Sequence, residues 1–235
     1  MLVLALETST LMGSIALIEA DGVLCELTLQ VQETHSSQLM PAIDFLLRTA
    51  GVIPDQLDGL AVALGPGSFT GLRIGMSTAK GLALAASKPL VGISTLEAMA
   101  WGFPFCPHLL CPMIDARMNE VYAAWFRAHD GAVSRQSDDM VLPVSRLLDD
   151  IHEEAIYFGS GAKRYKADIV EAAGERAHFV SPETAGARAS IVGFLAIKAL
   201  AEGKIPDIDS LEPLYIRESQ AIEKEKRREK QFPDY

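Results

Sequence analysis

With 235 residues, 49% hydrophobic and 22% charged, the chain has the composition of a globular protein with room for one large or two small domains. A formal net charge of −10 argues against a general nucleic-acid binder, whose footprint is basic, yet permits a subunit that reaches RNA through a basic partner. Three cysteines, an odd number, argue against a closed disulfide framework and fit a reducing cytoplasm; no run of about 18 apolar residues offers a membrane span.

The opening MLVLALETST has no basic region ahead of its apolar run and reads as a strand, Leu2–Leu6, rather than a signal peptide. Ser14–Glu19 and Val23–Val31 are further strands, joined through a hairpin signal at Asp21-Gly22. A helix over Ser36–Ala50 is predicted next, with Ser36 or Ser37 as N-cap, His35 beside the cap and Gly51 as its stop. The strand Gly59–Leu64 feeds a long helix over about Phe69–Ala85, followed by a strand at Pro89–Ile93 and a short helix at Thr95–Trp101. This β-β-β-α-β-α-β order predicts a mixed sheet with helices on its faces, the order of the ribonuclease-H-like fold.

Phe103-Pro104-Phe105-Cys106-Pro107 reads as a junction. Beyond it, Leu110–Asp115 and Val121–Phe126 are predicted as paired strands, Ser145–Ile151 as a helix and Ala155–Phe158 as a strand ending in Gly159-Ser160-Gly161. Helices over Lys163–Ala173 and Ala187–Glu202, an extended piece at Leu214–Ile216 and a charged tail at Ile222–Lys230 complete the pattern. The expected division is a first lobe over 1–104, a smaller second lobe over 105–186, and a final segment from about 187 to 235 packing back on the first.

Two helices carry more apolar surface than one sheet requires. On the second, Arg73, Ser77 and Lys80 form a narrow polar stripe, and most of the rest is small or apolar. The first has Ser37, Asp44 and Arg48 as its stripe, with Leu39, Met40, Ile43, Phe45, Leu46 and Leu47 filling most of the remainder. Either the pair docks a partner, or the helices cover each other with help from the C-terminal helix. Interior glycines such as Gly71 and Gly75 each cost about 0.5–1 kcal/mol relative to alanine. Close contact with another helix would offset that cost.

The chemistry-bearing motifs are weaker. Gly65-Pro66-Gly67-Ser68-Phe69-Thr70-Gly71 lacks the Gly-Lys-Ser/Thr ending of a phosphate-binding loop. Glu7-Thr8-Ser9-Thr10 ends the first strand, a usual place for phosphate or metal chemistry and equally a place for a polar loop satisfying its own backbone. Cys106, His108 and Cys111 match no common zinc spacing, so buried thiols are expected. His129, His152 and His178 read as surface or strand-end residues. Asp115-Ala-Arg117 with Glu120 forms a charged hairpin tip.

Leu4-Ala-Leu-Glu-Thr-Ser-Thr10, His35-Ser-Ser-Gln-Leu-Met-Pro41, Gly65-Pro-Gly-Ser-Phe-Thr-Gly-Leu-Arg-Ile-Gly75 and Asp115-Ala-Arg-Met-Asn-Glu-Val-Tyr122 together resemble the TsaB (YeaZ) family, as does Gly159-Ser-Gly-Ala162. The resemblance implies the two-lobed actin/Hsp70/sugar-kinase fold. It also implies a non-catalytic role beside TsaD in making N6-threonylcarbamoyladenosine in tRNA. The catalytic relative has a His-x-x-x-His metal pair where this chain has Thr95-Leu-Glu-Ala-Met99, and Asp115-Ala-Arg117 replaces its Ser-Gly-Gly-His type loop.

The resemblance therefore predicts no catalytic residue, metal or cofactor on this chain, with ATP and metal on partner subunits. Expected partners are a TsaD-like transferase, a TsaE-like ATPase and, indirectly, tRNA, with homodimers in isolation and a cytoplasmic location. The expected pairing residues are Leu39, Ile43, Leu46, Leu47, Gly71, Ile74, Gly75, Thr78 and Leu82. Glu7, Thr8, Ser9, Gly65 and Gly67 are expected to form a vestigial phosphate loop. The competing reading is an independent ATP-dependent kinase-like enzyme or metallopeptidase.

Overall fold

The structure, a computed structural model, describes residues 1–30, 36–181 and 184–216. The first sheet uses β1 (Val3–Glu7), β2 (Met12–Glu19), β3 (Gly22–Gln30), β4 (Gly59–Gly65) and β5 (Leu90–Ser94), ordered β3-β2-β1-β4-β5. β1 pairs antiparallel with β2 and parallel with β4, so the sheet is mixed about its first strand. Every residue of β1 is buried, which explains a continuous apolar run in place of an alternating one.

One face of this sheet is covered by α1 (Ser36–Ala50) and α2 (Phe69–Ala86). Leu4, Leu6, Leu17, Leu60 and Val62 from the strands cluster there with Ile43, Leu46, Met76, Ala79 and Ala83 from the helices. The other face is covered by α7 (Ala189–Ala201), whose Val192 and Ala196 cluster with Val3, Ala5 and Ala16. Gly193 lets α7 approach closely, because a Cβ there would lie 2.5 Å from Ile18 Cδ1. The start of α7 is held from below: Ser14 Oγ accepts from the Ala189 amide at 2.8 Å, and Glu26 accepts from the amide and hydroxyl of Ser190. A carboxylate at a helix N-terminus also meets the positive end of the helix dipole.

After α3 (Thr95–Ala100) comes a second sheet. Its strands are β6 (Leu109–Arg117), β7 (Glu120–Ala123), β8 (Phe126–His129), β9 (Ala132–Arg135), β10 (Met140–Pro143), β11 (Ala155–Phe158) and β12 (Ala177–Phe179). The main path is β10-β7-β6-β11-β12, with two antiparallel pairings followed by two parallel ones, the same succession as the first sheet. The short helices α4 (Val144–Asp149), α5 (Ser160–Arg164) and α6 (Lys166–Ala173) belong to this half. A cluster of Leu96, Met99, Leu110, Ile114, Phe126 and Phe158 joins α3 to the second sheet.

Several expectations change in detail. The strand predicted over Val121–Phe126 is broken into β7 and β8, which both pair with β6 but have different second partners, β10 for β7 and β9 for β8. The helix predicted over Lys163–Ala173 starts at Ser160 and is interrupted at Tyr165. β9, β10 and β12 were not anticipated; they are short pieces, of which β9 is mostly exposed, so no apolar run marks them. Leu214–Ile216 forms no strand, although the Leu214 amide donates to Leu64 O at 2.7 Å. His35 and the tail at Ile222–Lys230 lie outside the described residues, and nothing is described of the Ser36 and Ser37 side chains.

Neighbouring residues on α1 separate its two faces. Leu46 is fully buried and Leu46→Ala should cost about 2–5 kcal/mol. Phe45 is exposed and Phe45→Ala should stay within about 0.5 kcal/mol. Urea unfolding of the two variants checks the orientation of the helix.

Candidate functional site

The residues expected at a partner surface divide by burial. Leu39, Ile43, Leu46 and Leu47 are buried beneath α1, and Gly71 and Gly75 beneath α2. Those six therefore pack inside the chain. Ile74, Thr78 and Leu82 are half-buried on α2. The apolar side chains that do reach the surface are Met40 and Phe45 on α1 and Leu84 on α2. Their spacing was visible in the sequence, but apolar content alone could not say which part of a wide stripe the sheet would take.

Cover for α2 comes partly from a segment with no helical pattern. Leu211 is buried in the same core cluster as Met76 and Ala83, the Arg73 guanidinium donates to Tyr215 Oη at 3.0 Å, and Lys80 Nζ donates to Asp209 O at 3.4 Å. The C-terminal helix α7, expected as possible cover for these helices, lies instead on the opposite face of the sheet.

At the end of β1 the chain closes on itself. Thr8 Oγ1 donates to Gly71 O at 2.8 Å, and the Ser68 amide donates to Ser9 O at 2.6 Å. A Cβ at Gly71 would sit 2.0 Å from Thr8 O, one at Gly75 2.2 Å from Thr8 Oγ1, and one at Gly67 2.2 Å from Ser9 O. These glycines admit the β1 loop against the start of α2 rather than admitting another helix. Ser68 caps α2 by accepting from the Gly71 amide at 3.3 Å.

Glu7, Thr8 and Ser9 are all buried; Thr8 and Ser9 meet the start of α2 at Gly71 and Ser68 through hydroxyl and backbone groups, and Glu7 bonds to Ser9. Glu7 Oε1 accepts from the amide and hydroxyl of Ser9 at 2.6 and 2.7 Å, and Ser9 Oγ accepts from Thr95 Oγ1 at 3.0 Å. Burial pushes the Glu7 carboxyl up to about 7, against the hydrogen bonds from Ser9 that pull it down. Of the residues expected in a phosphate loop, Glu7, Thr8, Ser9 and Gly67 lie together and engage the chain itself, whereas Gly65 faces Leu72 and Leu214.

The charged hairpin tip is organised by Asp115. Its Oδ1 accepts from the Arg117 amide at 2.9 Å and its Oδ2 from Arg164 at 2.9 Å, while Ser160 Oγ accepts from the Asp115 amide at 3.0 Å. Arg117, Met118 and Asn119 turn the chain through positive φ. A second polar contact, missed in the sequence because its members are over forty residues apart, ties the end of β5 to the second sheet. There Ser94 Oγ donates to Asp139 Oδ2 at 3.2 Å and accepts from Arg135 at 3.0 Å.

Cys106 and Cys111 do not converge on a shared ligand position. Cys111 is buried, and burial pushes its thiol strongly upward, whereas Cys106 Sγ points to His108 O at 3.6 Å. No helix among the described residues is long and apolar enough to cross a membrane.

Comparison with known proteins places this geometry in context. The model of the TsaD family, tRNA N6-adenosine threonylcarbamoyltransferase, matches residues 19–222. The tRNA threonylcarbamoyladenosine biosynthesis protein TsaB of Bacillus subtilis is 30% identical over 94% of this chain and 96% of its own. TsaB of Escherichia coli is 31% identical over 95% of this chain and 98% of its own. The crystal structure of a Pseudomonas aeruginosa protein described as similar to peptidase YEAZ superposes with a TM-score of 0.80 at 28% identity, covering 92% of this chain and 99% of that one. The ethanolamine utilization protein EutJ of Carboxydothermus hydrogenoformans shares the fold alone, with a TM-score of 0.50 at 8% identity over 80% of this chain and 88% of that one.

Gly71→Ala should destabilise the chain by about 1–3 kcal/mol, because the added methyl meets backbone. Gly81→Ala, where a Cβ meets nothing within 4 Å, should stabilise it by about 0.5–1 kcal/mol in the same thermal or urea unfolding experiment. For Glu7 the raised folded-state pKa means the folded chain holds the proton more tightly than the unfolded chain does. Its contribution is therefore full below the ordinary carboxylate range and is lost as pH rises through about 7. Glu7→Gln removes that dependence. Its stability relative to the parent should improve by up to about 3 kcal/mol between pH 4 and pH 8, read from paired urea titrations.

Proposed function

The chain belongs to the TsaB (YeaZ) family, and from that premise we propose that it is the partner subunit of a TsaD-like transferase in tRNA threonylcarbamoyladenosine formation, without a catalytic site of its own. The observation that carries this reading is the outer face of α1 and α2. Met40, Phe45 and Leu84 are 47%, 59% and 61% exposed, with Ile74, Thr78 and Leu82 half-covered on the same pair of helices. Exposed large apolar side chains on the two helices that cover one face of the sheet favour a protein interface over a solvated surface. The closed β1 loop supports the same reading, since Glu7, Thr8 and Ser9 are engaged with the chain itself rather than open to a substrate.

In this reading the residues at the interface are Met40, Phe45, Ile74, Thr78, Leu82 and Leu84, with Gly81 allowing close approach between the larger side chains. The first lobe, 1–104 with the final segment from about 187, carries the docking face, and 105–186 forms the second lobe. ATP and metal belong to the partners, a TsaE-like ATPase joins the assembly, and tRNA is reached through it, in the cytoplasm. In isolation the same face pairs two copies of this chain.

Binding to a TsaD homologue, measured by calorimetry, tests the proposal together with reconstituted tRNA modification. Phe45→Glu and Leu84→Arg should each weaken binding about tenfold or more and lower modification in step, with an unchanged thermal midpoint. The isolated variants should shift toward monomer in light scattering. Wild-type affinity in both variants, or modification that proceeds without this chain, would overturn it.

A further inference from the structure

The parallel half of the second sheet gathers three metal-ligating side chains at one edge. His108 immediately precedes β6, Glu154 immediately precedes β11, and His178 is the middle residue of β12. Leu109 is in register with Ala155, so His108 stands beside Glu154; His178 is in register with Ile156, two residues beyond Glu154. Side chains two apart on a strand share a face. All three therefore leave the same face of the sheet, although 46 and 24 residues separate them in sequence. The Leu109 amide donating to Glu154 O at 3.2 Å fixes the first two strand starts together.

His108 Nδ1 lies 2.9 Å from Glu154 Oε2, and His178 Nε2 lies 3.6 Å from the same oxygen. One ligand atom from each residue falls within 4.8 Å of the others, and the two imidazoles stack at 4.7 Å between centroids. An ordinary histidine–carboxylate hydrogen bond accounts for His108 and Glu154. It does not account for His178, whose Nε2 is shut off from solvent with no hydrogen-bond partner among the described residues. Leaving a buried polar nitrogen unmatched costs about 1–3 kcal/mol, so the nitrogen calls for a further partner.

We propose that His108, Glu154 and His178 form a binding site for a divalent transition-metal ion of the zinc class. Two imidazoles and one carboxylate are a recognised zinc ligand set that leaves a fourth position for water. The nitrogen donors disfavour magnesium and calcium, which take oxygen. Zinc bonds of about 2.0–2.1 Å require tetrahedral ligand atoms to sit roughly 3.3 Å apart. The present separations reach that by small rotations of partly exposed side chains. Sulfur takes no part: Cys111 is a buried thiol, and Cys106 Sγ is directed to a backbone carbonyl. A bound ion would tie the starts of β6, β11 and β12 and stabilise the folded chain by mass action.

The test uses the full chain after chelator treatment, titrated with zinc chloride by calorimetry and with cobalt(II) by absorption. One equivalent of zinc should bind with micromolar or tighter affinity and raise the thermal midpoint, while magnesium should not. Cobalt should give tetrahedral d–d bands without a thiolate charge-transfer band. His178→Ala and Glu154→Gln should each weaken zinc binding about tenfold or more, and Cys106→Ser should leave it unchanged. Far-UV circular dichroism of the metal-free variants shows whether they are folded, and the glutamine variant keeps an acceptor for His108 should the alanine variant unfold. No binding below millimolar zinc, retained affinity in both folded ligand variants, or loss of binding in Cys106→Ser would overturn the proposal.

Discussion

The contact on which the first lobe depends is the seating of the Thr8-Ser9 loop against the first turns of α2. Three glycines, Gly67, Gly71 and Gly75, line that contact, and at each a methyl group would fall within 2.2 Å of an atom of Thr8 or Ser9. The helix is thereby brought close to β1, with the Thr8 hydroxyl and the Ser9 carbonyl meeting backbone groups of the turn and helix. Interior glycines weaken a helix taken alone. Here close tertiary packing offsets that weakness.

Seating α2 this closely determines what remains outside. The helix turns Leu72, Met76, Ala79 and Ala83 toward the sheet, leaving Ile74, Thr78 and Leu84 toward its flank and surface. The segment holding Leu211 and Tyr215 covers another part through Arg73 and Lys80. What stays open on the two helices is narrower than the apolar content of either helix suggests, and its large apolar side chains are Met40, Phe45 and Leu84. The exposed apolar surface is thus defined by subtraction: sheet first, strap second, remainder last.

Much of the first lobe was legible because its signals are local. The continuous apolar run of β1, the glycine after α1 and the turn into α2 each carry their own chemistry. The surplus apolar surface was legible as belonging to two helices, but which of its residues stay exposed was not. Leu39, Ile43 and Leu46 form as plausible a stripe as Met40 and Phe45 until the sheet takes one of them. Gly71 and Gly75 were legible as close-approach positions; what approaches them comes from sixty residues earlier and carries no periodicity. The second lobe was harder for the same reason. β12 is three half-buried residues, and its place beside β11 depends on parallel pairing across a helical crossover. His178 could not be joined to His108 before that register was known.

Both sheets share the succession of two antiparallel and two parallel pairings, yet their polar groups settle at opposite ends. In the first, the carboxyl ends of the parallel strands hold Glu7, Ser9 and Thr95 in one buried hydrogen-bonded group. That end is where open α/β sheets generally place their ligands. Here that end is filled by the chain's own hydroxyls and by a carboxyl that burial pushes up to about 7. In the second, the clustered ligand-type side chains lie at the amino-terminal edge of β6 and β11, away from that end.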